Sequence, residues 1–336
     1  MSSRVSGAPA RALYGVPAPA KLNWFVHVLG RRDDGMHRLQ TVFQFIDWCD
    51  LLDFELLDDG RIEREGGDGL PEEDLCVRSA RLLQRHAGSR LGVRMRLRKR
   101  VPAQAGLGGG SSDAASVLLA LNRLWGLRLR RGELQALAAR LGADVPVFVF
   151  GRNAFAEGIG ERLRAVELPR WRAVVAWPGA GLSTAQVFAS PLLTRDTPAC
   201  TMEGFCEHLK RGLAAEGGAG ERAEVERAEV ERAEVERDSD RPQAASRMRE
   251  LLAFGGNDLQ AAAVELLPRM QELQRWLASR GDGPARMSGS GSAMFAPWPG
   301  GEQGSADSLA ASVPAGWSAR VCSTLPRHPL QHWAED

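Results

Sequence analysis

The chain has 336 residues, of which 44% are hydrophobic and 25% are charged, a composition typical of soluble globular proteins. Its formal net charge of +1 argues against nucleic acid as a partner, and no apolar run is long enough for a membrane span. At this length we expect two domains, because a single hydrophobic core rarely grows so large. Five scattered cysteines without a C-x-x-C pair indicate free thiols. We predict a cytoplasmic protein that is a monomer or a weak homodimer.

The first half of the chain predicts strands and helices in alternation. Residues 1–13 contain arginine but no acidic residue, and we predict a disordered tail there. Strands are expected where β-forming residues alternate with polar ones, and helices where apolar residues recur every three or four positions. In chain order the predictions are a strand in 21–30, a strand in 39–57, a helix in 74–87, a strand in 91–102, and helices that begin near Ser112 and near Arg131.

The second half begins with a buried strand predicted in 171–179. Helices follow in 247–254 and 258–281 and near 305–313. Strands and helices mixed in both halves predict an α+β protein with an N-terminal domain at 14–165 and a C-terminal domain at 166–336. Inside the second domain we predict a charged low-complexity insertion at about 214–243.

The insertion contains a five-residue unit, E-R-A-E-V, repeated three times in 221–235. A period of five rotates each valine by about 140° around a helix, so the valines cannot form one apolar stripe. We therefore interpret the segment as a charged surface insertion.

The segment VPAQAGLGGGSSDAAS, residues 101–116, is rich in glycine and precedes an apolar helix. Glycine allows positive φ and close approach to the backbone, and successive N–H groups at a helix start suit phosphate oxygens. The segment lacks the G-K-[ST] of a Walker A loop. The residues alone leave two interpretations open, a phosphate-binding loop or a flexible turn before a capped helix. Asp113 is expected to face away from the phosphates.

Three further segments carry a resemblance to known proteins: PAKLN at 19–23 with G-M-H-R-L-Q-T at 35–41, GADVPVF at 142–148, and SGSGS at 288–292. Together with the glycine loop, they resemble the small-molecule kinases that include galactokinase, homoserine kinase and mevalonate kinase. More narrowly, the set resembles the kinases that act on 4-diphosphocytidyl-2-C-methyl-D-erythritol in non-mevalonate isoprenoid synthesis. The resemblance runs from about Pro19 to the last helix.

The resemblance implies a two-lobed GHMP kinase fold with ATP and substrate in the cleft between the lobes. It implies ATP and Mg²⁺ as cofactors and a cytidine-diphosphate-linked sugar alcohol as the small-molecule substrate, phosphorylated on its 2-hydroxyl. Two alternatives stay open at this point. One is another kinase of this superfamily that acts on a smaller alcohol such as homoserine, and the other is a catalytically silent nucleotide-binding relative.

The resemblance also implies the catalytic residues. Asp144 would accept the hydroxyl proton, and Lys21 would orient Asp144 and offset its charge. The residues alone favour a helix N-cap for Asp144, ahead of Pro146, and both roles are compatible. A set of residues is expected to bind ATP and its phosphates, and Ser112 is also a weak candidate for the metal: Lys99, Gly106, Leu107, Gly108, Gly109, Gly110, Ser111 and Ser112.

The expected substrate-binding residues are Asn23, Met36, His37, Thr184 and Phe188. His37 would hydrogen-bond the cytosine and Phe188 would stack on it, while SGSGS would pack a second glycine loop against the site.

The chain departs from the family pattern at two of its positions. Met36 stands where an aromatic residue commonly precedes the histidine, and Asp74 stands where an asparagine near the nucleotide is common. An aspartate only accepts hydrogen bonds, so a contact in which an amide donates would be lost.

Overall fold

The computed structural model describes residues 11–214, 242–298, 300 and 306–336. The five-residue repeat in 221–235 and residues 1–10 lie outside these ranges, as does most of the predicted insertion. None of the described helices is long and apolar enough to cross a membrane. All five cysteines are free thiols.

The described residues contain strands from both halves of the chain, joined in one sheet. They are β1 (Ala12–Arg31), β2 (His37–Leu57), β3 (Ile62–Gly66), β4 (Gly92–Arg98), β5 (Ala154–Glu157), β6 (Arg162–Ala165), β7 (Arg172–Trp177), β8 (Arg286–Met287), β9 (Met294–Pro297) and β10 (Ser318–Leu325).

Helices lie between these strands, and a 3₁₀ turn (Gln331–Trp333) follows the last one. The helices are α1 (Leu75–Ala87), α2 (Gly109–Leu124), α3 (Arg131–Ala139), α4 (Val145–Phe150), α5 (Thr184–Ala189), α6 (Met202–Ala214), α7 (Pro242–Leu252), α8 (Gln260–Leu266), α9 (Arg269–Ala278) and α10 (Ala306–Ser312).

The long antiparallel hairpin of β1 and β2 is the framework of the first half. Its register places Lys21 opposite Phe45 and Asn23 opposite Phe43, with irregularities on either side of this stretch. β4 pairs with the other edge of β2, and β3 adds to β4 in parallel. Helix α2 is buried along most of its length because its sequence is apolar on nearly every side. It forms the centre of the first core, together with α1 and the neighbouring strands.

The second half continues the same sheet. β7 pairs with β9 and β10, and β10 reaches the first half through Thr324 opposite Ile46 and Leu325 opposite Phe45. Beyond β10, Leu330 and Ala334 pack into the core around α2. The α+β prediction is confirmed, whereas the division of the chain near residue 165 stays a prediction.

Several predicted boundaries differ from the structure, and three of the differences have a clear physical reason. β1 begins at Ala12, inside the range predicted as a disordered tail, because this residue pairs with Glu55 on β2. Helix α2 begins three residues earlier than predicted, since Gly108 with φ of 72° takes the N-cap position. The helix predicted over 258–281 is two helices, α8 and α9, because Pro268 has no N–H for a continuous helix.

Candidate active site

A cavity of about 1000 Å³ is lined by residues from both halves of the chain. The glycine loop, the β1–β2 hairpin, the segment before α4, helix α5 and the 289–291 loop all contribute to it. Twelve of the predicted site residues line this cavity: Lys21, Asn23, Met36, His37, Gly106, Gly108, Gly109, Gly110, Ser111, Asp144, Thr184 and Phe188. The structure does not bring Lys99, Leu107 or Ser112 to the cavity lining.

Two glycines of the loop are required by their surroundings. Gly106 and Gly108 have φ of 73° and 72°, a backbone conformation that residues with a side chain rarely adopt. A Cβ atom on Gly106 would lie 2.1 Å from the carbonyl oxygen of Ser288, and one on Gly108 would lie 3.1 Å from Cε of Lys21. The loop therefore packs directly on Lys21 and on the SGSGS segment, which forms the second glycine loop expected at the site.

The N-terminus of α2 points its backbone donors at the cavity. Ser112 N–H donates to the carbonyl of Gly108 at 2.8 Å, which is the first backbone hydrogen bond of the helix. The preceding N–H groups, of Gly109, Gly110 and Ser111, belong to the first turn and have no helical carbonyl to bond. All three residues line the cavity. Free N–H groups and the positive end of the helix dipole together suit an anion such as a phosphate.

Lys21 lies at the junction of strand, loop and helix. Its side chain is 2% exposed. Nζ donates to Oδ1 of Asn23 at 2.6 Å and to the carbonyl of Gly106 at 2.8 Å, and it lies 3.4 Å from Oδ2 of Asp144. Burial lowers the pKa of Lys21, and the carboxylate of Asp144 opposes that change. The ammonium is therefore held by neutral oxygens on two sides and by one carboxylate on the third.

Asp144 occupies the N-cap position of α4, but its side chain accepts no capping hydrogen bond. The side chain is 38% exposed and lines the cavity. The N-cap position that the sequence suggested is therefore occupied, while the carboxylate itself stays available on the cavity side of Lys21.

Two residues hold Asn23 in place, and sequence reasoning gave neither of them a role. Nδ2 of Asn23 donates to Oγ1 of Thr41 at 2.8 Å, and this hydroxyl donates to the carbonyl of Phe25 at 2.5 Å. The hydroxyl of Ser288 donates to the carbonyl of Gly106 at 3.0 Å and accepts from the N–H of Asn23 at 3.3 Å. Both residues lie within segments that carried the family resemblance, Q-T and SGSGS.

The predicted base-binding residues meet near the turn of the β1–β2 hairpin. The rings of His37 and Phe188 stack with centroids 4.9 Å apart and an interplanar angle of 27°. Met36 is 47% exposed beside them. Thr184 hydrogen-bonds Ser290 at 2.8 Å, between the two oxygens. Nε of Arg195, which sequence reasoning missed, lies 3.3 Å from Nε2 of His37.

Lys99 lies behind the loop rather than in the cavity lining. Nζ donates to Oδ2 of Asp113 at 2.8 Å and to Asp50. Burial raises the pKa of Asp113 to about 7; the ammonium of Lys99 opposes this rise and the neighbouring Asp50 adds to it. Burial alone would lower the pKa of Lys99, but the two carboxylates raise it overall. A Cβ atom on Gly109 would lie 3.4 Å from Nζ, so this ion-pair cluster supports the start of α2 from below.

The remaining predicted residues near the nucleotide have structural partners. Leu107 is in the core, and its carbonyl accepts from the N–H of Lys21 at 2.9 Å. Asp74 caps α1 by accepting from the N–H of Val77 at 3.0 Å, and it lies 3.4 Å from Nε of Arg64.

Ser112 is fully buried, and its hydroxyl has no hydrogen-bond partner in the described part of the chain. Within that part, no group of three or more His, Cys, Asp or Glu residues is placed to hold a metal ion.

Comparison with known proteins defines the class. Residues 74–152 match the profile of the GHMP kinases N terminal domain, and residues 234–318 match that of the GHMP kinases C terminal domain. The chain is thus a GHMP kinase, an ATP-dependent phosphotransferase with an alcohol group as acceptor.

The family within this class follows from full-length relatives. A protein of Variovorax paradoxus (strain S110) named 4-diphosphocytidyl-2-C-methyl-D-erythritol kinase is 46% identical over 96% of this chain and 99% of its own. A protein of Methylibium petroleiphilum with the same name is 47% identical over 96% of this chain and 99% of its own. The chain belongs to the 4-diphosphocytidyl-2-C-methyl-D-erythritol kinase family.

Solved structures agree with this assignment. A crystal structure of 4-(cytidine 5'-diphospho)-2C-methyl-D-erythritol kinase matches with a TM-score of 0.66 and 33% identity, over 91% of this chain and 98% of that one. The homoserine kinase of Cytophaga hutchinsonii matches with a TM-score of 0.61 at 15% identity, over 97% of this chain and 98% of that one. At this lower identity the homoserine kinase supports the two-lobed fold alone.

Proposed function

We propose that this chain transfers the γ-phosphoryl group of ATP to the 2-hydroxyl of 4-diphosphocytidyl-2-C-methyl-D-erythritol. One observation carries the proposal. A single cavity contains the start of α2, the Lys21–Asp144 pair and, farther along the hairpin, the His37–Phe188 stack. Such a cavity offers a phosphate site, a proton acceptor and an aromatic surface for a base. The names of the full-length relatives support the same substrate.

In the proposed reaction, the substrate hydroxyl oxygen forms a bond to the γ-phosphorus while the bond from that phosphorus to the β–γ bridging oxygen breaks, and ADP leaves. Asp144 accepts the hydroxyl proton. Its side chain is 38% exposed, lines the cavity and lies 3.4 Å from Nζ of Lys21, which supports this role by geometry. Lys21 also offsets charge beside the reacting groups. Asn23, whose Oδ1 accepts from Lys21 and which lines the cavity, would hold the reacting end of the substrate.

The phosphates of ATP would lie on the loop from Gly106 to Ser111 and on the free N–H groups of α2. Mg²⁺ would be held by phosphate oxygens. The unpartnered hydroxyl of Ser112 has the chemistry of a ligand, but this residue is fully buried and does not line the cavity. When bound, the ion neutralises charge that develops on the phosphates. Because Lys99 already binds two carboxylates, we propose that it acts on ATP through the loop rather than by direct contact.

The cytidine would lie against Phe188, with His37 hydrogen-bonding the base and Met36 and Thr184 beside it. Methionine packs well on aromatic rings through its polarizable sulfur, so Met36 is compatible with base stacking. The cytoplasmic location, the monomeric or weakly dimeric state and the lack of a nucleic-acid partner stay predictions from the sequence.

The test is release of ADP from Mg-ATP in the presence of 4-diphosphocytidyl-2-C-methyl-D-erythritol, with homoserine and mevalonate in parallel reactions. We expect turnover with the cytidine substrate only. Turnover with homoserine would replace the proposal with a different GHMP kinase activity. ATP binding without turnover of any of the three alcohols would instead indicate a silent nucleotide-binding relative.

A further inference from the structure

Arg195 is anchored by backbone carbonyls where the chain leaves α5. Its Nη2 donates to the carbonyls of Phe188 at 2.9 Å and Ser190 at 3.0 Å, and its Nη1 donates to that of Leu193 at 3.1 Å. Because three carbonyls hold the guanidinium, the direction of the remaining Nε–H is set by the backbone. This Nε–H donates to Nε2 of His37 at 3.3 Å.

The direction of this hydrogen bond determines the state of the His37 ring. A guanidinium only donates hydrogen bonds, so Nε2 of His37 must accept and carry no proton. A neutral imidazole with a bare Nε2 carries its proton on Nδ1. The pKa of His37 is lowered by burial first and then by the positive charges of Arg195 and Arg31, which also favours the neutral ring. No other described residue hydrogen-bonds the ring nitrogens of His37.

We propose that Arg195 is a positioning residue for base selection: by binding Nε2 of His37, it makes this cavity residue a hydrogen-bond donor at Nδ1 and so selects a base with an acceptor there. Cytosine has a bare N3 as an acceptor, whereas uracil carries a proton on N3. The chain would therefore prefer cytidine over uridine diphosphate compounds. The inference rests on the proposed function, since it assumes that a pyrimidine lies beside His37.

The stacked ring strengthens the argument. Phe188 packs on His37, and its own carbonyl accepts from Arg195, so one guanidinium is bonded to both members of the stack. Without Arg195, His37 would no longer be fixed in the Nδ1–H tautomer, and the end of α5 that carries Phe188 would be held less firmly. If Arg195 had a purely structural role, its loss would loosen α5 but would not change the tautomer of His37.

The first test reads the tautomer directly. In long-range ¹H–¹⁵N spectra of the full chain labelled on histidine nitrogen, we expect His37 to show the Nδ1–H form, with His37→Phe used to assign its signals. In Arg195→Met, the same signals should move towards a mixture of both tautomers. An Nε2–H form in the unmodified protein would overturn the inference, whatever the variants do.

The second test measures binding of CDP and UDP by calorimetry. We expect the native chain to prefer CDP, and Arg195→Met to lose about 10-fold in CDP affinity with a CDP-to-UDP ratio that falls towards one. His37→Phe keeps a stacking ring but removes the donor, and it should lose the preference as well. Arg164→Met, at an exposed arginine paired with Glu203, is the matched control and should bind like the native chain.

The ratio of affinities separates this inference from the proposed function, because binding of CDP needs no turnover. An unchanged ratio in both Arg195→Met and His37→Phe would overturn the inference while leaving any measured kinase activity intact. A chain that prefers CDP through Arg195 but does not phosphorylate the sugar alcohol would keep the inference for cytidine compounds and remove the proposed reaction. Should Arg195→Met not fold, His37→Phe and the native tautomer still decide the outcome.

Discussion

Lys21 and Lys99 lie on opposite sides of one glycine loop in contrasting surroundings. Lys21 contacts an amide oxygen, a backbone carbonyl and one partly exposed carboxylate, and burial lowers its pKa. Lys99 lies between two buried carboxylates, Asp50 and Asp113, that raise its pKa. The first lysine lines the cavity and the second does not.

This contrast shows that burial alone does not set the pKa of a lysine, since it is lowered at Lys21 and raised at Lys99. The number of carboxylates around the ammonium, and their exposure, decide whether its charge can act on a ligand or is neutralised by neighbouring groups of the protein. Around Lys21 the one carboxylate, Asp144, also faces the cavity. Around Lys99 the charges are paired internally, so its contribution is to hold the β4–α2 junction. The predictions below test this division.

The largest expected effect is on catalysis at the Lys21 site. Asp144→Asn should fold and bind ATP but lower kcat by about 10⁴-fold, the upper end of general-base effects, because an amide cannot accept the hydroxyl proton. Steady-state ADP release and nucleotide binding check this. Asp113→Asn, on the Lys99 side of the loop, is the matched control. A kcat within 10-fold of native for Asp144→Asn would remove Asp144 from the base role.

The next effect is on the pH dependence of the free energy of unfolding, through Asp113. Its folded pKa of about 7 lies above the ordinary 3.8, so between these values the folded state holds a proton that the unfolded state releases. The free energy of unfolding therefore falls as pH rises from about 4 to about 7, by about 4 kcal/mol from this group. Asp113→Asn should lack that part of the pH dependence. Urea unfolding at pH 5 and pH 8 measures it, and parallel curves for the two proteins would contradict the prediction.

The two lysines should also respond oppositely to the same substitution. Lys99→Met leaves two buried carboxylates without a cation and should lower the free energy of unfolding by about 3 kcal/mol, while kcat of the folded fraction stays within a few-fold of native. Lys21→Met should lower kcat by at least 100-fold. Denaturation and single-turnover rates distinguish the two outcomes. Equal losses of kcat in both variants would refute the division between the lysines.

The smallest effect is a recovery of stability in a double variant. Adding Asp113→Asn to Lys99→Met removes the cost of protonating Asp113 or of burying its charge beside Asp50, while Asp50 still accepts from the N–H of Val101 at 2.8 Å. The double variant should regain about 1 kcal/mol of unfolding free energy relative to Lys99→Met. Chemical denaturation of the four proteins in the cycle measures this coupling, and strictly additive losses would mean that the two groups do not interact.

The sequence allowed prediction of the residues that lie in short patterns. The residue types of the glycine loop suit phosphate, whereas Lys21 and Asp144 were predicted as a catalytic pair through the resemblance of PAKLN and GADVPVF to the kinase family. The structure brings all of them into one cavity. The start of α2 was misplaced by three residues because serine is a good N-cap, and nothing local shows that the backbone of Gly108 takes that position.

The supporting residues could not be predicted because their roles depend on distant parts of the chain. Ser288 contacts Asn23 and Arg195 contacts His37 across separations of 265 and 158 residues. In the sequence Asp50 is one of several acidic residues within the strand predicted in 39–57, and only the fold brings Lys99 against it. Hydrophobic periodicity identifies elements but carries no information about such long-range pairs.

The segment that follows β10 has a consequence for synthesis on the ribosome. Leu330 and Ala334 fill the core around α2, and buried Arg131 donates to the carbonyls of Gln331 and Ala334 at 2.6 and 2.7 Å. At roughly 5–20 residues per second, about 10–40 s separate the making of Arg131 from that of Leu330. During this interval Nη2 of Arg131 lacks its two carbonyl acceptors from the C-terminal segment, whereas Nη1 already has the carbonyl of Val149, at 2.8 Å in the folded chain. The core around α2 therefore begins first and is completed last, when the segment after β10 has been translated.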